Sequence, residues 1–383
     1  MKLFFKTSLA LISIVGLTAL SSSSYKPDPV KPVQKKIQVA ILLDVSSSME
    51  GLIEQAKAQL WNMVNTMGKA KCPGDLAPKI EIALYEYGRT TNDASAGYVK
   101  QLNGFINNLD SLSQNLFSLK TNGGDEFCGH VIYSSLQELK WDNTPDNYKV
   151  IFIAGNEDFL QGDIQYTRSC AEARQKGVIV NTIYCGDRMQ GIREHWNLAG
   201  ECGNGSFTNI NQNAKIEEIA TPYDSMMYVL NNKLNGTYMN YGYRGGEMLE
   251  KQATMDALNT TASKSAGIKR IQAKSNKAAY FNGDWDLVDA DADGRFDYSK
   301  LDKKVLPDSL KNKSADEIKK IVNEKAKERA GIQNQISTLN SQRDLFIANE
   351  RKNAAAKNNV ATLETEVEKI IKEQAKRFNM IIQ

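Results

Sequence analysis

Histidine is almost missing from this chain: 383 residues contain two, His130 and His195. Neither lies in a motif that would orient a nucleophile, and the pair leaves a zinc site short of ligands. The sequence has no Walker loop, dinucleotide fingerprint, nucleophile elbow or HExxH stretch. These absences argue against an enzyme. Cysteine is scarce and odd in number: Cys72, Cys128, Cys170, Cys185 and Cys202, with no CxxC pair. At least one thiol must stay outside any intramolecular disulfide. An excess of one charge is missing as well, since 48 Lys and Arg face 45 Asp and Glu, a net +3. That balance gives no electrostatic basis for binding nucleic acid or an anionic membrane surface. Beyond Leu20 no apolar run is long enough to span a membrane.

The N-terminus, MKLFFKTSLALISIVGLTALSSSSYKPDP, has a basic start, an apolar run from Leu9 to Leu20 and then small residues. This is the pattern of a secretory signal peptide over residues 1–21, followed by a Ser-, Pro- and Lys-rich linker over 22–35. No cysteine adjoins the expected cleavage region, which speaks against lipid attachment there. Loss of Lys2 and Lys6 with the signal would leave a nearly neutral mature chain with no membrane span. The expected location is the periplasm or the medium, where disulfides can form.

From residue 36 onward, apolar runs alternate with helical patterns. IQVAILL (37–43), KIEIALYEYG (79–88), KVIFIAG (149–155) and VIVNTIYCG (178–186) read as strands. Met49, Leu52, Ile53, Ala56, Leu60, Met63, Val64 and Met67 mark one face of a helix. GFINNLDSLSQNLFSL (104–119), HVIYSSLQEL (130–139), DIQYTRSCAEARQKG (163–177) and residues 214–234 also read as helices. The alternation predicts an α/β fold over 36–234, a doubly wound and mostly parallel sheet flanked by helices. Ligands of such sheets bind beyond the carboxyl ends of the strands. Residues 235–313 read as a polar, small-residue connector, partly helical over 238–279 and followed by a compact aromatic-acidic turn. Residues 314–383 are charged and helix-prone, with apolar positions at Ile318, Val322, Ile332, Ile336, Leu339 and Phe346, then Val360, Leu363, Val367 and Ile370. This spacing predicts a mainly helical extension, a long helix or a helical hairpin with coiled-coil character.

Two stretches imitate known sites. In DADADG (289–294), Asp289, Asp291, Asp293, Gly294 and Asp297 fit the start of a calcium loop, but Lys300 stands where a bidentate acid is required. An acidic turn is the expected outcome. The NGT at 235–237 is an N-glycosylation pattern, relevant only in a eukaryotic secretory pathway.

The chemistry concentrates in ILLDVSSSMEG, Ile41 to Gly51. Asp44, Ser46 and Ser48 alternate, so in an extended turn their side chains project to one side. One carboxylate and two hydroxyls make a partial oxygen shell for a hard divalent cation and leave positions open for a ligand. The alternative is that Ser46 or Ser48 only caps the following helix.

An apolar strand, DxSxS and an amphipathic helix resemble the metal-ion-dependent adhesion site of von Willebrand factor A-type domains. The strand–helix alternation over 36–234 is similar to that family's doubly wound fold. The family usually completes its site with a threonine from a Gly-Gly-Thr loop and an aspartate from Thr-Asp-Gly after the fourth strand. Here TNGGDEFCG puts Asp125 where that threonine is expected, and IFIAGNEDF puts Gly155 where that aspartate is expected, after Ala154. One carboxylate disappears and another appears, so the resemblance implies a relocated metal site of Asp44, Ser46, Ser48 and Asp125, with Thr121 and Glu157 as further contributors. Mg2+, or another divalent cation such as Ca2+ or Mn2+, is the implied cofactor.

The segment following WDLVDA resembles the tail of exported bacterial proteins that carry this domain. The implied function is an exported, non-enzymatic protein-binding module that recognises an acidic group on a partner, expected in the cell envelope. The alternative is a structural subunit of an envelope assembly, held by its helical tail, with a degenerate metal site. Two of Cys128, Cys170 and Cys185 are expected to pair and stiffen the rim.

Overall fold

The computed structural model describes residues 34–211, 219–294, 296–354 and 363–382. The expected signal peptide, nearly all of the linker, Val360 and the start of the helix expected from 214 lie outside these residues.

Eight strands are described: β1 (Lys36–Asp44), β2 (Ala70–Lys71), β3 (Lys79–Tyr87), β4 (Lys100–Ile106), β5 (Tyr148–Gly155), β6 (Ile179–Cys185), β7 (Asn204–Ile210) and β8 (Ile381–Ile382). Six of them form one sheet in the order β4-β3-β1-β5-β6-β7. All pairings in it are parallel except β3 with β4. The expected doubly wound α/β fold is therefore present. β1 and β5 share the middle of the sheet, and both are largely apolar and buried almost throughout, as strands covered on both faces must be.

Helices cover both faces. On one face lie α1 (Glu50–Gly68) and α2 (Leu109–Ser118). On the other lie α3 (Cys128–Glu138), α4 (Tyr166–Lys176), the short α5 (Arg188–Arg193) and α6 (Trp196–Cys202). Their buried side chains form two apolar cores separated by the sheet. Gly177 ends α4 with φ of 64°, a left-handed cap that glycine adopts at low cost.

Two elements differ from the expectation. Gly104–Ile106 belong to β4, and the helix begins only at Leu109. The Asn108 side chain accepts from the Ser111 amide at 2.9 Å, which sets that start. β7 carries the polar sequence NGSFTNI and had no apolar run to announce it. As the last strand of the sheet it is buried fully only at Thr208 and Ile210.

The C-terminal part is helical, and most of it joins the first core, while Leu287, Val288, Leu306, Leu310, Ile318 and Val322 form a third, smaller core. This part comprises α7 (Asp224–Asn235), α8 (Gly245–Ala262), α9 (Lys264–Ser275), the short α10 (Leu287–Ala292) and α11 (Asp308–Lys311), the long α12 (Ala315–Ala354) and α13 (Leu363–Ala375). Val367, Ile370, Ile371 and Ala375 of α13 are buried in the same core as β1 and α1. Gln374 accepts from Tyr148 Oη at 2.9 Å and donates to Asn181 Oδ1 at 2.7 Å, both inside the sheet. β8 then pairs antiparallel with β2.

Two buried ionic clusters tie these helices down. Arg270 meets Asp110 of α2 at 2.7 Å and Asp256 of α8 at 2.6 Å, with its guanidinium 4.7 Å from the Trp61 ring. Lys274 completes the group at 2.8 Å from Asp256. Against the cost of burial, Lys274 and Arg270 hold the Asp256 carboxyl well below the usual range. Arg329 of α12 meets Asp286 at 2.6 Å and Asp289 at 2.8 Å and lies 4.0 Å from the Tyr238 ring. Arg270→Met is expected to lower stability by about 3–5 kcal/mol, because it leaves the buried Asp110 without a cation and Asp256 with Lys274 alone; equilibrium denaturant unfolding measures the loss.

Candidate functional site

The DVSSS turn opens where β1 leaves the sheet. The Val45 amide donates to Tyr87 O and the Asn122 amide to Val45 O, each at 2.9 Å, so the turn is pinned to β3 and to the loop before α3. The Ser46 amide donates back to Asp44 Oδ1 at 2.7 Å. A single 3-10 turn, Ser47–Met49, leads into α1. Ser46 occupies the cap position without a side-chain capping bond. Its hydroxyl faces Ser48 Oγ at 3.2 Å, and Ser48 Oγ in turn donates to Asn156 Oδ1 at 3.3 Å. The serines thus face one another and the β5 loop, which capping does not require.

Asp44 is fully buried, and its Oδ2 has no hydrogen bond. An unpaired buried carboxylate oxygen is costly, which makes its surroundings informative. A Cβ on Gly155 would lie 3.0 Å from Asp44 Oδ2 and 2.5 Å from Tyr87 Oη. The buried Tyr87 hydroxyl donates to Ala154 O at 3.1 Å. Gly155 is therefore required by the close approach of Asp44 and Tyr87, and no side chain fits there without moving them.

The loop before α3 presents its acids differently from one another. Asp125 is exposed, whereas Glu126 is only 7% exposed. A Cβ on Gly88, whose φ is +83°, would meet Glu126 Cγ at 2.8 Å and Asp44 Oδ1 at 3.1 Å, so Glu126 runs alongside Asp44. Glu126 is the residue that the sequence reading missed. A signal was available: in an extended GGDEF segment neighbouring side chains point opposite ways, so only one of the two acids can face inward. Thr121 is half-buried on the same loop. Glu157, also half-buried, accepts from Gln161 Nε2 at 3.3 Å, and its carbonyl accepts from Trp196 Nε1 at 2.7 Å.

Burial raises the Asp44 carboxyl to about 6, and the charge of Glu157 adds to the rise against the Ser46 hydrogen bonds. Burial, then Asp44, Glu157 and Asp125, push Glu126 up to about 8. The turn, the α3 loop and the β5 loop thus crowd negative charge into one volume. Among the described residues no group of three or more His, Cys, Asp or Glu is arranged as a ready metal cage. The converging atoms are instead the Asp44 carboxylate, two serine hydroxyls and the flanking acids. That donor set, with an orphaned Asp44 oxygen, suits a hard cation that keeps open positions.

The other sequence candidates resolve simply. The disulfide joins Cys170 of α4 to Cys202 of α6, while Cys72, Cys128 and Cys185 are buried and free. The expected pairing within Cys128, Cys170 and Cys185 does not form. Cys128 and Cys185 belong to cores on opposite faces of the sheet, and Cys170 points toward α6. The DADADG stretch is neither a calcium loop nor simply an acidic turn: Asp289 and Asp291 lie in α10, with Asp293 at its C-terminal end, and the buried Asp289 pairs with Arg329 at 2.8 Å while Asp291 accepts from Tyr298 Oη at 2.9 Å. Asn235 of the NGT pattern donates to Asp256 at 2.7 Å and is not free for modification.

No protein-family model and no curated protein matches the chain. Several solved structures are similar over 46% of it. The SpRpn10 VWA domain has 12% identity and a TM-score of 0.35, over 88% of that protein. An aerotolerance-related membrane protein from Bacteroides fragilis has 15% identity and a TM-score of 0.34, over 93% of its length. Proximal thread matrix protein 1 of the mussel byssus, described with a zinc-occupied MIDAS motif, has 13% identity and a TM-score of 0.33. The chain spans 42% of that last protein.

A carboxyl whose folded value exceeds its unfolded one binds its proton more tightly when folded, so its contribution to stability falls as pH rises between the two. For Glu126 that window runs from 4.5 to about 8. Glu126→Gln is therefore expected to raise the melting temperature at pH 8 more than at pH 5, read by thermal denaturation.

Proposed function

We propose that this is an exported, non-enzymatic module of the von Willebrand factor A type that binds a protein partner through a divalent cation. Asp44, Ser46 and Ser48 hold the ion, and the first-loop carboxylate is Glu126, with Asp125 at the rim and Thr121 and Glu157 alongside. Mg2+ is the natural candidate, since it accepts one or two carboxylates and keeps positions for other oxygens. An acidic side chain of the partner would fill an open position. The carrying observation is the buried Asp44 oxygen that lacks a partner beside two hydroxyls turned toward each other. The sheet order, with β1 at its centre and the turn at its carboxyl end, supports the reading. The Cys170–Cys202 bond supports an oxidising location, periplasmic or secreted.

A second reading keeps the fold and discards the ion: a structural subunit with a degenerate site. The lack of a ready cage among the described residues favours it. Calorimetry with Mg2+, Mn2+, Ca2+ and Zn2+ separates the two. Saturable binding that Asp44→Ala abolishes, Glu126→Gln weakens about tenfold or more and Asp125→Ala leaves nearly intact supports the first. No heat from any of the four ions supports the second. Chelator is expected to release the captured partner only under the first reading.

A further inference from the structure

A cleft of about 750 Å3 lies at the end of the sheet away from Asp44. One wall is the start of β3, at Lys79 and Ile80, with Asn107 just after β4. The other wall is Tyr241, Phe281 and Phe296, all half-buried. Phe296 meets Tyr241 edge-on, with ring centres 5.5 Å apart at 78°. Between the walls the floor is made of small residues, among them Ala278, Ala279 and Gly283. A Cβ on Gly283 would lie 2.7 Å from the Phe281 ring, so the ring packs this closely against the floor only because the position is glycine. The rim carries four exposed charged groups, Lys79 and Lys277 against Asp284 and Asp293, and the amide of Asn107.

These features narrow the ligand. Among the described residues the rim charges balance, two of each sign, and Lys79 already lies 3.0 Å from Glu81, so an anion such as a phosphate meets no cationic excess there. β3 is paired on both edges, by β1 and β4, so an extended peptide finds no free strand to join. Aromatic rings, a side-chain-poor floor and separate donors and acceptors at the rim suit a neutral ring with apolar faces and polar edges. A pyranose has that shape: its C–H face packs on an aromatic ring while its hydroxyls both donate and accept.

We infer that this cleft binds a neutral saccharide, stacking a sugar ring on Phe281 and Phe296 and hydrogen-bonding hydroxyls to Asp284, Lys277 and Asn107. The inference stands apart from the cation site at the other end of the sheet.

Calorimetry and ligand-observed NMR on the full chain test it with chitotetraose, cellotetraose and maltotetraose. Sedimentation with insoluble chitin and cellulose distinguishes a polymeric source from a soluble one. At least one neutral sugar is expected to bind saturably, with or without EDTA. Asp284→Ala should weaken binding about tenfold, and Phe281→Ala should abolish it. Asp284 is exposed, so its variant remains informative should Phe281→Ala fail to fold. The proposal is overturned if no neutral saccharide binds at up to about 10 mM. It is also overturned if Asp284→Ala leaves the affinity unchanged, or if an oligogalacturonate or a peptide binds where the neutral sugars do not.

Discussion

A carboxylate buried at the end of the central strand, with one oxygen unpaired, is the constraint around which the upper end of this molecule is arranged. Leaving a buried acceptor unsatisfied costs on the order of 1–3 kcal/mol. Asp44 bears that cost beside Glu157, whose charge adds to it, and itself helps push up the neighbouring Glu126 carboxyl. Three neighbouring features follow from it. Gly88 and Gly155 have no room for a side chain, Tyr87 turns its hydroxyl to a backbone carbonyl, and the serines face each other across the turn.

The rest of the molecule fixes that turn in place. β1 cannot shift, because it is paired along its whole length with β3 and along most of it with β5. One face of the sheet is closed by α1 and by α13, which returns from the far end of the chain. The ionic clusters of Arg270 and Arg329 join α2, α8 and α9 in one case and α10 and α12 in the other. Removing one member of such a cluster leaves a buried charge less well paired, so each cluster couples the helices it joins. The same helices create the cleft at the lower end, since Tyr241, Phe281 and Phe296 all lie in the segments between them.

Much of this was legible in the sequence, for identifiable reasons. Strands buried on both faces must be apolar throughout, so β1, β5 and β6 announced themselves, and with them the parallel sheet and the edge on which the DVSSS turn sits. β7 was silent because an edge strand can be polar. The C-terminal helices were visible from their spacing, but not their destination, because an apolar stripe does not say which surface it covers.

Sequence alone determined the periodicities, the fold class and the chemistry of Asp44, Ser46 and Ser48. Tertiary structure decided the rest: that Glu126 rather than its neighbour turns toward Asp44, that Cys170 meets Cys202, and that Asp289 of the DADADG stretch sits in a helix and pairs with Arg329. Each of these depends on which side of a loop or sheet a side chain faces. That is set by packing between residues far apart in the chain, which no local pattern encodes.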